Sequence, residues 1–218
     1  MSGVARVGAY VVVVLAIVAT SVNARVLWRN THREQTSAFR FIPDWRRVIG
    51  SANDVAGQGS KSRDTLVEFL DYQCPACRAM WTRTDEYVKH AGRSLVVEVS
   101  YITSPGHELA LPAALAAYCA AKQGVFGEIH RLLFAPAVID SEPSWSDFAR
   151  KAGVKDPAVF ETCRADPAST AAIQAVRARV DRLGGHGSPI WMIDGAVYEG
   201  LPWDFERILD RVVERAAP

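Results

Sequence analysis

The apolar positions of this chain change their period several times, and each change marks an element. TLVEFLDY, Thr65 to Tyr72, is a nearly continuous apolar run of strand length, the pattern of a strand covered on both faces. RAMWTRTDEYVKHAG follows the first cysteines with apolar residues at helical spacing and stops at Gly92. LVVEVSYI, Leu95 to Ile102, is a second buried strand. Together they make a β-α-β unit whose strands are expected to be parallel neighbours.

From Ser104 to Leu183 the period turns helical. Leu111, Leu115 and Cys119 recur every four residues in LALPAALAAYCAAKQG, while VFGEIHRLLF predicts another helix and SWSDFARKAG a third. Two more open on Asp156-Pro157 and Asp166-Pro167, where the acid caps and the proline takes the first helical position. The second of these lines up Ile173, Val176, Val180 and Leu183 on one stripe and stops at Gly184-Gly185. SPIWMIDGAVYEG then returns to β structure as two short strands around Asp194-Gly195, a strong tight-turn signal. PWDFERILDRVVERA closes with an amphipathic helix carrying Phe205, Ile208, Leu209 and Val212. The order is β-α-β, a helical block, then β-β-α.

Ahead of this pattern the chain is different. VGAYVVVVLAIVATSVNA, Val7 to Ala24, has no charge over 18 residues and sits between Arg6 and Arg25. Its length is at the lower edge of a membrane-spanning helix. Two readings compete: an anchor with Trp28 and Arg29 at the interface, or a signal peptide cleaved after Val22-Asn23-Ala24. Arg25, Arg29 and Arg33 follow the segment, so the positive-inside bias runs against export of what comes next. Residues 26–61 read as a tether. FRFIPDWRRVIG offers aromatic residues to the domain surface, and GSANDVAGQGSKS has a linker's composition and no period.

Composition adds exclusions. Of 218 residues 49% are hydrophobic and 22% charged, a globular balance, and the net charge is +1. No overall field recruits nucleic acid or an acidic substrate, and no basic cluster is interleaved with aromatics, so no nucleic-acid partner is expected.

The chemistry concentrates in QCPACRAMW. Cys74 falls where the first strand ends and a helix begins, facing unpaired backbone N–H groups and the positive end of the helix dipole, which favour thiolate over thiol. Pro75 suits the first helical turn. Cys77 lies on the same side of that turn, close enough to bond with Cys74, so the pair supplies one reactive and one resolving sulfur. A zinc knuckle needs four ligands, yet Cys119 and Cys163 stand alone and the five histidines form no ligand pair at helical spacing. No metal is expected. An inert disulfide staple remains the other reading.

VEFLDYQCPAC, followed after the helical block by GSPIWMIDGAVYEGLP, resembles the thioredoxin fold, in particular the DsbA-like branch of exported thiol–disulfide oxidoreductases. The likeness covers about Ser62 to Ala216 and rests on three features together: the C-x-x-C after the first strand, the inserted helices, and a proline before the hairpin. The resemblance implies a cis peptide bond before Pro189, with Ser188 offering backbone hydrogen bonds to an extended substrate beside Pro75 and Ala76. It matches Glu68 to a buried acid that relays the proton of the resolving thiol. The chain departs from the family at Ala76, where strongly oxidising members carry a histidine that holds the thiolate. A milder oxidant is the expectation, with a reductase or isomerase, including apocytochrome c thiol reduction, as the alternative and a C-x-x-C metal carrier or binding module as the non-enzymatic one.

Read from the residues alone, Cys119 and Cys163 are two cysteines at helical positions, open to being buried free thiols. Similar cysteines in some relatives form a second, non-catalytic disulfide, which would imply an oxidising compartment. The resemblance further implies exported proteins as substrates, a quinone-linked membrane protein that reoxidises the pair, and no metal or organic cofactor. The expected organisation is a signal anchor or signal peptide at 1–25, a tether at 26–61, thioredoxin-fold halves at 62–104 and 184–218, and an inserted helical subdomain at 105–183.

Overall fold

A computed structural model describes residues 40–49, 65–91, 96–135 and 143–215. The apolar segment 7–24 and residues 26–39 and 50–61 of the expected tether lie outside these residues. Among the described residues no helix is long and apolar enough to cross a membrane.

In chain order the elements are β1 (Arg40–Phe41), α1 (Trp45–Ile49), β2 (Thr65–Leu70), α2 (Pro75–Ala91), β3 (Val96–Tyr101), α3 (Ala110–Ala121), α4 (Phe126–Leu133), α5 (Trp145–Lys151), α6 (Pro157–Ala165), α7 (Pro167–Leu183), β4 (Ile190–Ile193), β5 (Ala196–Glu199) and α8 (Phe205–Arg215). The sheet runs β1-β5-β4-β2-β3, with β3 parallel to β2 and β4 antiparallel to it. β2 is buried at every position, which is why its sequence is apolar without alternation. The architecture is the mixed α/β one expected, a thioredoxin-like sheet with a helical block between β3 and β4.

The pleat sends alternate residues of β2 and β4 into two cores. Leu66, Leu70, Trp191 and Ile193 pack with Cys77, Met80 and Tyr87 of α2 and with Phe205, Ile208 and Leu209 of α8. Val67, Phe69, Ile190 and Met192 pack instead with Val176, Val180 and Leu183 of α7 and with Trp45. The first core continues without a break into the helical block through Ala113, Ala117, Phe126, Ile129, Trp145 and Phe160. α7 serves both, with Ile173 in the first core and its last turns in the second.

Local chemistry sets the helix ends. Asp156 Oδ1 accepts from the Val159 N–H at 3.0 Å and Asp166 Oδ1 from the Ala168 N–H at 2.8 Å, each followed by proline at the first helical position. α7 ends on Gly184 at φ 74°, a left-handed stop. α3 differs from its expected single stripe: Ala110, Ala113, Ala114, Ala116, Ala117 and Ala120 are buried as well as Leu115 and Cys119. Small side chains let neighbouring helices close on it from several directions, so it is the axis of the block rather than an amphipathic surface helix.

Residues 40–49, placed in the tether on sequence grounds, belong to the folded domain. β1 pairs with β5, the Ile42 N–H donates to the Gly195 carbonyl at 2.8 Å, and Trp45 is 7% exposed. Gly195 is required twice over at this contact. Its φ is 83°, and a Cβ there would sit 2.6 Å from the Ile42 carbonyl oxygen.

A disulfide joins Cys119 of α3 to Cys163 of α6 across 44 residues of sequence. Replacing both cysteines by alanine should cost roughly 4 kcal/mol, the chain-entropy value for a loop of that length. Urea unfolding of the two proteins under oxidising conditions checks this, and equal midpoints with equal slopes would show that the bond adds no stability.

Candidate active site

The chain leaves β2 at Leu70 and enters α2 at Pro75, and the four residues between form the centre of the site. The Cys74 N–H donates to the Asp71 carbonyl at 3.0 Å, and the Cys74 carbonyl accepts from the Arg78 N–H at 3.1 Å. Cys74 is therefore the residue at the helix entrance, where side chains meet unpaired N–H groups. Cys77 is one turn inside the helix and faces the core at 0% exposure. Both are free thiols in this structure.

These two positions give the sulfurs opposite character. Cys74 is pulled down to about 5, chiefly by the hydrogen bond from the Cys77 side chain. Burial opposes the shift, and Ser188 with the backbone N–H groups of Cys77 and Ala76 adds to it. Cys77 is pushed far up, first by burial and then by its hydrogen bond with Cys74, although the Asp71 N–H donates to its sulfur at 3.4 Å. At neutral pH the pair is a thiolate at Cys74 with a thiol at Cys77 donating to it.

The loop before β4 closes one side. The Ser188–Pro189 peptide is cis, Pro189 is buried, and the Ser188 carbonyl accepts from the Cys74 thiol at 3.6 Å. Pro75 and Ala76 are exposed beside the pair. Cys119 and Cys163, by contrast, are bonded to each other within the helical block.

Glu68 lies between Val99 and Trp191 in the sheet, fully buried on the same face as Leu66 and Leu70, the face that receives Cys77. Thr84 Oγ1 donates to its Oε1 at 2.5 Å, and Oε2 has no hydrogen-bond partner among the described residues. Burial raises it to about 7, the Thr84 bond working against the rise. It is an acid poised to gain or lose a proton near neutrality.

Three polar ties that the sequence reading passed over hold the entrance turn. The Asp71 carboxylate is buried and accepts from the Gln73 N–H at 2.8 Å, from the Ser104 N–H at 2.9 Å, and meets His107 Nδ1 at 2.8 Å. Gln73 Oε1 accepts from the Leu109 N–H at 2.5 Å, and Tyr72 hydroxyl meets His130 Nδ1 at 2.7 Å. His130 is fully buried among Trp81, Phe126 and Phe134, and burial pushes it down to about 3, so it is neutral. The available signal was an acid inside the apolar run EFLDY, three residues before Cys74. Among the described residues no group of three or more His, Cys, Asp or Glu side chains is arranged to hold a metal ion.

A family model described as thioredoxin matches residues 53–211. A thioredoxin-like oxidoreductase from Silicibacter pomeroyi DSS-3 superposes with a TM-score of 0.65 at 26% identity, over 78% of this chain and 96% of its own. A periplasmic thioredoxin-like protein from Salmonella enterica serovar Typhimurium superposes with a TM-score of 0.64 at 22% identity, over 81% of this chain and 97% of its own. The thiol-disulfide exchange protein alpha-DsbA2 from Wolbachia pipientis gives 0.65 at 20% identity, over 79% and 91%. The last two share the fold. No curated protein sequence matches this one.

Thiolate absorbance near 240 nm should titrate in the reduced protein with a midpoint near 5 and vanish in Cys74→Ser. Because the folded value lies below the unfolded one of 9.0, Cys74 stabilises the reduced fold fully above pH 9. That contribution shrinks as the pH falls and is gone below about pH 5. A midpoint near 9 would mean that the helix entrance does not hold the anion.

Proposed function

Because the chain belongs to the thioredoxin family, as a thiol–disulfide oxidoreductase of the DsbA-like kind, we propose that it oxidises the thiols of exported proteins outside the cytoplasm through Cys74 and Cys77. The observation that carries this is the depressed Cys74 thiol, pulled down to about 5. Whatever stabilises the thiolate stabilises the reduced form, and a stable reduced form makes the disulfide a stronger oxidant.

The reaction is two exchanges. A substrate thiolate attacks Cys74 Sγ of the oxidised pair, a substrate–Cys74 bond forms, and Cys77 leaves with the electron pair of the broken bond. A second substrate thiolate then attacks the substrate sulfur of that mixed disulfide and expels Cys74 as thiolate. The substrate has lost two electrons and the pair has gained them. Reoxidation needs a partner carrying a disulfide or an equivalent two-electron acceptor, which we assign to a membrane redox protein.

The remaining roles follow the geometry. Ser188 and Pro189 line the approach to Cys74, and the Ser188 carbonyl is released from the Cys74 thiol once that thiol ionises, leaving it to accept from a substrate backbone. Pro75 and Ala76 form the exposed rim. Glu68 supplies the proton that the departing Cys77 sulfur takes up, its carboxyl being raised to about 7 for that purpose by burial. The Cys119–Cys163 bond supports an oxidising compartment, and so does the likeness to a periplasmic protein. Residues 7–24 would tether the domain to the inner membrane or be cleaved on export.

With Ala76 the pair is a milder oxidant than it would be with a histidine at that position. Among the described residues the groups that lower Cys74 are backbone N–H groups, the Cys77 thiol and the Ser188 side chain, and the methyl of Ala76 contributes none. Cys77→Ser should accumulate mixed disulfides with exported proteins, formed when its Cys74 thiolate attacks a disulfide of the protein and expels the other sulfur, because no Cys77 thiol is left to release them, and Cys74→Ser should accumulate none. Equal trapping on non-reducing gels would reverse the assignment of roles. Ala76→His should add one interaction with the thiolate of about 1–2 kcal/mol, raising the potential by roughly 20–40 mV for the two-electron couple. Glutathione redox titration measures it, and an unchanged potential would remove Ala76 as the cause of mildness.

A further inference from the structure

Asp71 handles both cysteines with its peptide and the neighbouring loop with its carboxylate. Its carbonyl accepts from the Cys74 N–H at 3.0 Å and its N–H donates to Cys77 Sγ at 3.4 Å. Its side chain, wholly buried, reaches the segment that leads into α3, at the Ser104 N–H and at His107. Ser104 continues the chain of contacts, its hydroxyl lying 3.5 Å from that of Ser188.

We propose that His107 is a positioning residue for the disulfide-opening step, acting through Asp71 to keep the Asp71 N–H aimed at the Cys77 sulfur. The inference rests on the oxidoreductase reading above. When a substrate thiolate attacks Cys74, the Cys74–Cys77 bond breaks and Cys77 departs as a thiolate into a site where burial disfavours charge. A leaving sulfur departs faster the better its anion is stabilised. The Asp71 N–H is a backbone donor already pointed at it, and its aim depends on how the Asp71 residue is held.

Two of the donors to that carboxylate are backbone N–H groups, which come with the fold. Among the described residues His107 Nδ1 is the side-chain partner of that carboxylate, 2.8 Å from the same Oδ2 that accepts from the Ser104 N–H. Its removal leaves a buried carboxylate one partner short, which the Asp71 residue can relieve by turning toward the remaining donors. The loop itself stays docked, because Gln73 Oε1 independently holds the Leu109 N–H. The imidazole is 30% exposed, so its truncation opens no cavity in the core.

The test compares oxidised wild type, His107→Ala and His107→Asn, each mixed with excess reduced two-cysteine peptide, acid-quenched, alkylated and weighed. Asparagine places an amide N–H close to where imidazole Nδ1 lies. His107→Ala should open the disulfide about five- to tenfold more slowly, the effect of losing roughly one net hydrogen bond, and His107→Asn should restore the rate to within about twofold on the same reasoning. A merely structural role would shift melting without this pattern. An alanine variant as fast as wild type, or an asparagine variant as slow as alanine, overturns the proposal while leaving the oxidoreductase reading intact. A wild type that fails to oxidise the peptide overturns both.

Discussion

A negative sulfur at a helix entrance is the constraint around which this fold is arranged. Cys74 is 7% exposed, so water supplies little of the solvation that its thiolate needs. The protein substitutes N–H groups of the first helical turn and the Cys77 thiol, and those donors outweigh burial. Three residues further on, the same helix gives the opposite result. Cys77 has turned toward the core, where burial dominates and one N–H donor cannot compensate. The difference between an ionised and a protonated sulfur is thus the difference between the cap position and the first inward-facing position of α2.

Holding that entrance still requires more than the sheet. β2 delivers the turn, and α2 begins where the turn ends, yet residues 71–74 themselves have no ladder partners among the described residues. Their polar side chains supply the fixation by reaching into the helical block: Asp71 and Gln73 to the start of α3, Tyr72 to His130 of α4. The block is in turn braced by the Cys119–Cys163 bond between α3 and α6 and by α7, whose ends belong to different cores. The inserted helices therefore brace the candidate site from its far side. Their contribution to chemistry passes through the geometry of one turn.

Much of this was legible in the residues because it depends on local order. Caps at Asp156 and Asp166, the stop at Gly184 and the turn at Asp194-Gly195 are set by neighbouring residues, and their chemistry shows in short windows. The same holds for a cysteine placed where a strand passes into a helix. What escaped depends on distant partners. β1 is two residues long and has no period to detect; it exists because β5 offers an edge, and Trp45 is buried because α7 lies across from it. Asp71 meets His107 across 36 residues and Tyr72 meets His130 across 58, spans over which no periodicity carries information. The all-round burial of α3 was hidden for another reason: alanine reads as neutral until several helices are shown to pack against it.

The protonation states of the pair decide how its oxidising strength responds to pH. Between about 5 and neutrality the reduced pair carries one proton, on Cys77, since Cys74 is already ionised. Reduction therefore takes up two electrons and one proton, and the potential falls by about 30 mV per pH unit rather than twice that. The proton must reach a sulfur that is 0% exposed, and Glu68 lies on the same sheet face with a carboxylate oxygen, Oε2, that has no hydrogen-bond partner among the described residues. A carboxyl of ordinary acidity would be empty at neutral pH and one raised much further would not release its proton. Burial to about 7 places it between those limits. On the proposed reading, the desolvation that makes Glu68 costly to bury is the same effect that makes it a usable donor.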